Sequence, residues 1–201
     1  MERLTESQNA QFPMAVSPDG TRLVFYENAP NNASDLMLMP LQGERRPQPL
    51  VRTPFNEING EISPDGRWLA YQSNESGQDE VFVRPFPNAD DGRWQVFTGG
   101  GTRPLWARSG QELFYATPAG DALMSVPVSG TPVFSAGNPI KILNAQAYRT
   151  AVDAGRNYDV SRDGRRFLLI KPGTGAAEAP PAAITVVQNW TEELKRRVPP
   201  P

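Results

Sequence analysis

The 201-residue sequence contains no histidine and no cysteine. Their absence excludes Ser-His-Asp and Cys-His nucleophilic sites, imidazole-based zinc sites, thiolate clusters and disulfides. Any catalysis would have to run on carboxylates, Arg, Lys, Tyr or Ser. A chain without cysteine suits either redox compartment and is placed in neither. Lysine is also scarce: only 3 of the 20 basic residues are Lys, the rest Arg, which reads as a base-composition bias of the genome. There is no positive excess, since 20 basic residues face 22 acidic ones for a net charge of −2. Phosphate-backbone binding demands such an excess, so nucleic acid is not expected as a partner. No apolar run approaches the ~18 residues that span a bilayer, so no membrane insertion is expected. The opening Met1-Glu2-Arg3-Leu4-Thr5-Glu6-Ser7-Gln8 has no apolar signal core, and no secretion signal is expected there.

What the chain has in abundance is turn chemistry, with 17 Gly and 21 Pro. The length suits one large domain or two small ones, able to bury roughly 70% of the unfolded surface. A repeat runs through it. Val16-Ser17-Pro18-Asp19-Gly20 precedes Leu23-Val24-Phe25-Tyr26, and Ile62-Ser63-Pro64-Asp65-Gly66 precedes Trp68-Leu69-Ala70-Tyr71. The pattern returns, worn, as Trp106-Ala107-Arg108-Ser109-Gly110 before Leu113-Phe114-Tyr115. Its fourth copy is Val160-Ser161-Arg162-Asp163-Gly164 before Phe167-Leu168-Leu169-Ile170. The turn glycines lie 46, 44 and 54 residues apart.

Each unit reads as strand, tight turn, strand. Pro pre-sets a turn torsion, Asp bonds its own backbone, and Gly supplies the positive torsion that closes the hairpin. A third apolar run follows in each unit, at Leu36–Met39, Val81–Val83, Leu123–Val126 and Ile184–Val187. A weaker fourth is visible at Leu50-Val51, Gln95–Phe97 and Ile140–Leu143. Four short strands about every 45 residues, with no helix between them, predict an all-β β-propeller of four consecutive four-stranded blades. The blades are expected over residues 1–190, with a C-terminal tail over 191–201. We read the chain as a piece of a larger ring, with a small closed ring of four as the alternative. As a piece, its end blades would carry open edges available for self-association. Residues 145–157 and the low-complexity 171–181 look like excursions, and Asn189 is placed to cap one helical turn in the tail.

The units Ser-Pro-Asp-Gly-x-x-Leu-x-Phe/Tyr resemble the TolB-like, WD-repeat-like propellers of bacteria. The run from Ser63 to Gly77, then Glu80 to Pro87, is similar to the propeller region that follows the kinase domain in bacterial receptor-type serine/threonine kinases. Val187-Gln188-Asn189-Trp190-Thr191-Glu192-Glu193-Leu194-Lys195 is similar to the way those chains end. The resemblance covers about Arg3 to Lys195. It implies an extracytoplasmic sensing or docking module joined to a cytoplasmic kinase, and hence a periplasmic or extracytoplasmic location if so attached. The sequence departs from those kinases in having no Gly-rich nucleotide loop, no His-Arg-Asp catalytic loop and no Asp-Phe-Gly. Any kinase activity would therefore belong to another part of the protein.

Among candidate sites, Asp19, Asp65 and Asp163 stand in tight turns and are read as backbone caps. Asn88-Ala89-Asp90-Asp91-Gly92 lacks the alternating carboxylates and terminal Glu of a calcium loop and is read as a plain turn. No metal, cofactor or catalytic residue is expected. Most aromatic residues are assigned to packing between blades. The functional expectation is geometric: the segment entering each innermost strand reaches the mouth of the central channel. Asn9, Glu57, Asn59, Arg103, Arg156 and Asn157 lie on these segments, with Glu57 set against the two arginines. Such a rim suits a protein or a small polar ligand. The alternatives are a carboxylate-based glycoside hydrolase, for which Glu57 and Glu61 are the acids that enter the channel, or an accessory propeller of a larger enzyme.

Overall fold

The computed structural model describes residues 3–28, 33–131, 133–145 and 155–170. The four turns behave alike. Gly20 N donates to Ser17 O at 2.8 Å, Gly66 N to Ser63 O at 2.9 Å, Gly110 N to Ala107 O at 2.9 Å and Gly164 N to Ser161 O at 2.9 Å. All four glycines take φ between 70° and 72°, the left-handed region that a Cβ disfavours. The Asp19 carboxylate accepts from the Ser17 hydroxyl and, at 3.0 Å, from Thr21 N; Asp65 and Asp163 repeat this with Ser63 and Arg67 N, and with Ser161 and Arg165 N. These aspartates are turn caps.

Each turn joins the first two strands of a sheet. Strands β1 (Ala10–Val16), β2 (Arg22–Asn28), β3 (Ser34–Pro40) and β4 (Gln48–Val51) pair antiparallel in chain order. So do β5 (Glu57–Ile62), β6 (Trp68–Ser73), β7 (Glu80–Pro85) and β8 (Trp94–Gln95). The third unit has β9 (Thr102–Trp106), β10 (Glu112–Ala116) and β11 (Ala122–Ser129), but its outer strand is divided. Val128 and Ser129 pair with β12 (Ser135–Ala136), while Ala122–Ser125 pair with β13 (Ile140–Asn144). The break falls at Val126-Pro127, where proline has no N–H to continue the ladder. The fourth unit is described as the hairpin β14 (Tyr158–Val160) and β15 (Phe167–Leu169). The expected third strand at Ile184–Val187, the 171–181 excursion and the turn at Asn189 lie outside the described residues, as does most of 145–157.

Alternation along the strands explains the stacking. On β6, Leu69 and Tyr71 join Val24, Leu36, Ile62 and Phe82 in the core between the first and second sheets. Ala70, one residue over, faces the next core, with Val81, Val83, Trp106, Leu113, Tyr115 and Val126. Phe114 and Leu123 point the other way again, onto Tyr158 and Phe167 of the fourth unit. Period-2 strands that are apolar on both faces have to be covered on both sides, and successive sheets do this for one another. Val24, Leu36, Leu69, Leu113 and Val126 are fully buried; each such side chain contributes about 1.5–3 kcal/mol. Trp68, Trp94 and Phe134 cluster with centroids 5.4–5.8 Å apart at the second interface. Phe97 is an exception to interblade packing, 40% exposed. Asn88–Gly92 forms a 3-10 turn whose Ala89 carbonyl accepts from Arg84 at 2.8 Å.

Candidate functional site

The first residue of each turn motif (Ser17, Ser63, Ala107, Ser161) sets a common register for the innermost strands. Four positions earlier stand Pro13, Asn59, Arg103 and Asn157, and five earlier Phe12, Ile58, Thr102 and Arg156. At this level the pairing with the second strand slips, between Pro13 and Ala15, between Ile58 and Glu61, and opposite Phe114 to Ala116. Asn59 and Arg103 occupy the slip in the left-handed region, at φ 55° and 54°. A non-glycine residue there stores on the order of 1–3 kcal/mol, and such strain concentrates where side chains are aimed for use.

These residues converge. Asn59 Nδ2 donates to Gln72 Oε1 at 2.9 Å, and Arg103 N donates to the same oxygen at 3.3 Å. Arg103 Nε donates to Gly155 O at 3.0 Å, and the Tyr158 hydroxyl donates to Arg103 O at 2.6 Å. Arg103 is 8% exposed. Burial lowers its pKa, with Tyr158 and Asp79 opposing, and it remains a cation because guanidinium starts so high. Arg156 Nη1 donates to Glu61 Oε2 at 2.8 Å in an ion pair and to Pro104 O at 3.4 Å.

Two adjoining cavities result, both lined by Phe12, Asn59 and Gly155. One, of about 400 Å³, adds Gln72, Asp79 and Arg103. The other, of about 390 Å³, adds Glu61, Pro104 and Arg156. Each thus draws residues from all four units. A third space, of about 410 Å³, continues past Glu61 and Arg156 to Asp159 and Arg108. Burial raises the Glu61 pKa, Arg156 pulls it back and Asp159 adds to the rise.

The six expected rim residues divide. Asn59, Arg103 and Arg156 line the cavities, and Asn157 follows Arg156 half-buried. Glu57 does not face the arginines: it is 1% exposed. Its carboxylate accepts from the Thr53 N–H at 3.3 Å, the Thr53 hydroxyl at 2.5 Å and the Ser73 hydroxyl at 3.4 Å. The turn before β5 leaves its N–H and hydroxyl donors inside the protein, and Glu57 satisfies them; burial pushes its carboxyl up. Asn9 instead donates from Nδ2 to Glu27 Oε1 at 3.0 Å within the first unit. Sequence reasoning missed Phe12, Gln72, Asp79 and Asp159. Aligning the repeat on its turn would have exposed Phe12 (equivalent to Arg156) and Asp159 (equivalent to Glu61). Gln72 lies on a second strand, and its only signal is a polar side chain in an apolar run.

No protein-family model matches the chain, and no curated protein matches it. Solved structures do. A protein described as TolB from Agrobacterium tumefaciens superposes with a TM-score of 0.56 at 16% identity, over 69% of this chain and 50% of that one. TolB from Acinetobacter baumannii gives 0.52 at 20% identity, over 84% of this chain and 45% of that one. A structure described as a 6-phosphogluconolactonase from Bacteroides uniformis gives 0.52 at 13% identity, covering 80% and 47%. The fold is a β-propeller. The chain spans about half the length of these propellers. The innermost strands of a propeller line its axis, so the cavities around Asn59 and Arg103 are axial.

Proposed function

We propose that this propeller is a non-catalytic binding or sensing module, recognising a protein or a small polar ligand at its axial cavity. One observation carries the reading: Phe12, Asn59 with Gln72, Arg103 and Gly155 come from four successive units and meet at one concave, mixed-polarity site of about 400 Å³. Two of those residues hold left-handed backbone to be there. The lack of His and Cys and the pairing of Glu61 with Arg156 support a role without chemistry. We further propose that the module is the extracytoplasmic C-terminal part of a receptor-type serine/threonine kinase, on the likeness of Ser63–Pro87 to those chains, and that open blade edges allow self-association. Sedimentation over a wide concentration range tests the last point: a strictly monomeric species refutes it.

The binding test is a mixed library of short peptides and polar metabolites, read by ligand-observed NMR on wild type, Arg103→Ala and Arg156→Ala. Binding lost in either variant, with an unchanged circular dichroism spectrum, supports the site. Binding unchanged in both moves it elsewhere. A second reading, glycoside hydrolysis, is favoured by Glu61 and Asp159 lining one space. Glycan turnover lost in Glu61→Gln would promote it over the first.

A further inference from the structure

We infer that the axial cavity beside Gln72 takes the ring of a neutral sugar; this rests on the binding reading above and names its ligand class. Phe12 lies flat on Tyr26, with centroids 4.6 Å apart and planes 14° from parallel, and is still 36% exposed. One ring face is taken by Tyr26, and both rings line the cavity, giving it an apolar aromatic wall. Sharing the lining with them are neutral polar residues: the amide-bearing Asn28, Asn59 and Gln72 and the hydroxyl-bearing Ser34 and Thr102.

The hydrogen bonding leaves these groups partly unspent. Gln72 Oε1 receives Asn59 Nδ2 and Arg103 N, which fixes the amide and turns its Nε2 away from both. Among the described residues, both hydrogen bonds of the Gln72 amide fall on Oε1 and none on Nε2. The site therefore offers an oriented double donor. The Ser34 hydroxyl donates to Asn28 Oδ1 at 2.7 Å, which orients that amide too. The charged residues lining this cavity are Asp79 and Arg103, one of each sign, so it has no surplus charge with which to select an anion or a cation.

A pyranose matches both halves of this lining. One face of its ring carries C–H groups that pack on an aromatic plane. Its edge carries hydroxyls, each able to accept from an amide and donate to a carbonyl or carboxylate. Groups held in place by other bonds discriminate strongly between a ligand that pairs with them and one that does not.

The experiment titrates the full 201-residue chain with the methyl glycosides of glucose, galactose, mannose and N-acetylglucosamine, and with glucuronate, by saturation-transfer NMR and calorimetry. At least one neutral glycoside is expected to bind, with Phe12 and Gln72 in the interface. Phe12→Ala should weaken it about tenfold or more. Gln72→Glu keeps the acceptor for Asn59 and Arg103 but loses the amide donors, and should weaken it comparably while the fold is retained. Phe97→Ala, an exposed aromatic away from the axis, should leave it unchanged. Failure of all four neutral glycosides to bind overturns the assignment, as does binding indifferent to Phe12→Ala and Gln72→Glu, or glucuronate preferred over glucose. If no glycoside binds but a peptide or other polar ligand is lost in Arg103→Ala, the sugar is wrong and the binding site stands. If no ligand responds to any cavity substitution, both fail.

Discussion

Removing one oxygen, in Tyr158→Phe, tests whether the fourth unit is tied into the axial site. The Tyr158 hydroxyl donates to Arg103 O at 2.6 Å, and the residue is 7% exposed. Its ring packs with Leu105, Ala107, Phe114 and Leu123, and phenylalanine keeps those contacts. What is lost is one hydrogen bond, leaving a buried carbonyl on a residue already held at φ 54°. Stranding a buried acceptor costs about 1–3 kcal/mol. The loss should be local, because repeat architectures couple each unit to its neighbours. Residues 155–160 carry the Gly155 carbonyl that accepts from Arg103 and the Arg156 that pairs with Glu61. Urea unfolding should therefore show a stability drop of about 1–3 kcal/mol. Hydrogen exchange should accelerate at Tyr158–Val160 and near Arg103, leaving β2, β3 and β6 at their wild-type rates. A change below about 0.5 kcal/mol, or a uniform rise in exchange across the first two sheets, would refute the view that this hydroxyl anchors the last unit to the axis.

Leu113→Ala, at a fully buried position between the second and third sheets, should cost about 2–5 kcal/mol, whereas Leu168→Ala, 72% exposed, should stay within about 0.5 kcal/mol in the same urea assay. The hydroxyl of Ser17 and the N–H and hydroxyl of Thr21 hold the Asp19 carboxyl at about 2, below the ordinary 3.8. With the folded value depressed, the turn's contribution is present at neutral pH and lost as pH falls through that window; the carboxyl NMR shift should titrate near 2, and a midpoint near 4 would show the cap is absent. Burial raises the Glu61 carboxyl despite Arg156, so the sign is opposite: its contribution is full below the ordinary glutamate value and declines as pH rises through the raised one. Glu61→Gln should accordingly gain stability relative to wild type between pH 4 and pH 7 in thermal melts, and a relative loss would mean the ion pair outweighs burial.

Much of this propeller is written in local chemistry. A Ser-x-Asp-Gly turn, with Pro or Arg at its second position, closes on its own atoms, so the hairpins around Gly20, Gly66 and Gly164 need no distant partner, and even the worn copy at Gly110 keeps its backbone bond. Alternating apolar strands, repeated at blade spacing, specify sheets covered on both faces and hence a stack of blades. The axial positions of Asn59, Arg103 and Arg156 followed from the same repeat, because a residue's height on the innermost strand is fixed by its distance from the turn. Direction along the strand was legible, but what each side chain meets was not. Glu57 stands at the right height and turns inward, since donors of a neighbouring turn needed its carboxylate more than the channel did. Gln72 reaches the axis from a second strand only because the innermost strand slips past it at Asn59. Those outcomes belong to tertiary structure because a buried polar group takes whichever partner the packed neighbours leave within hydrogen-bond reach, and that partner is set by residues remote in the chain.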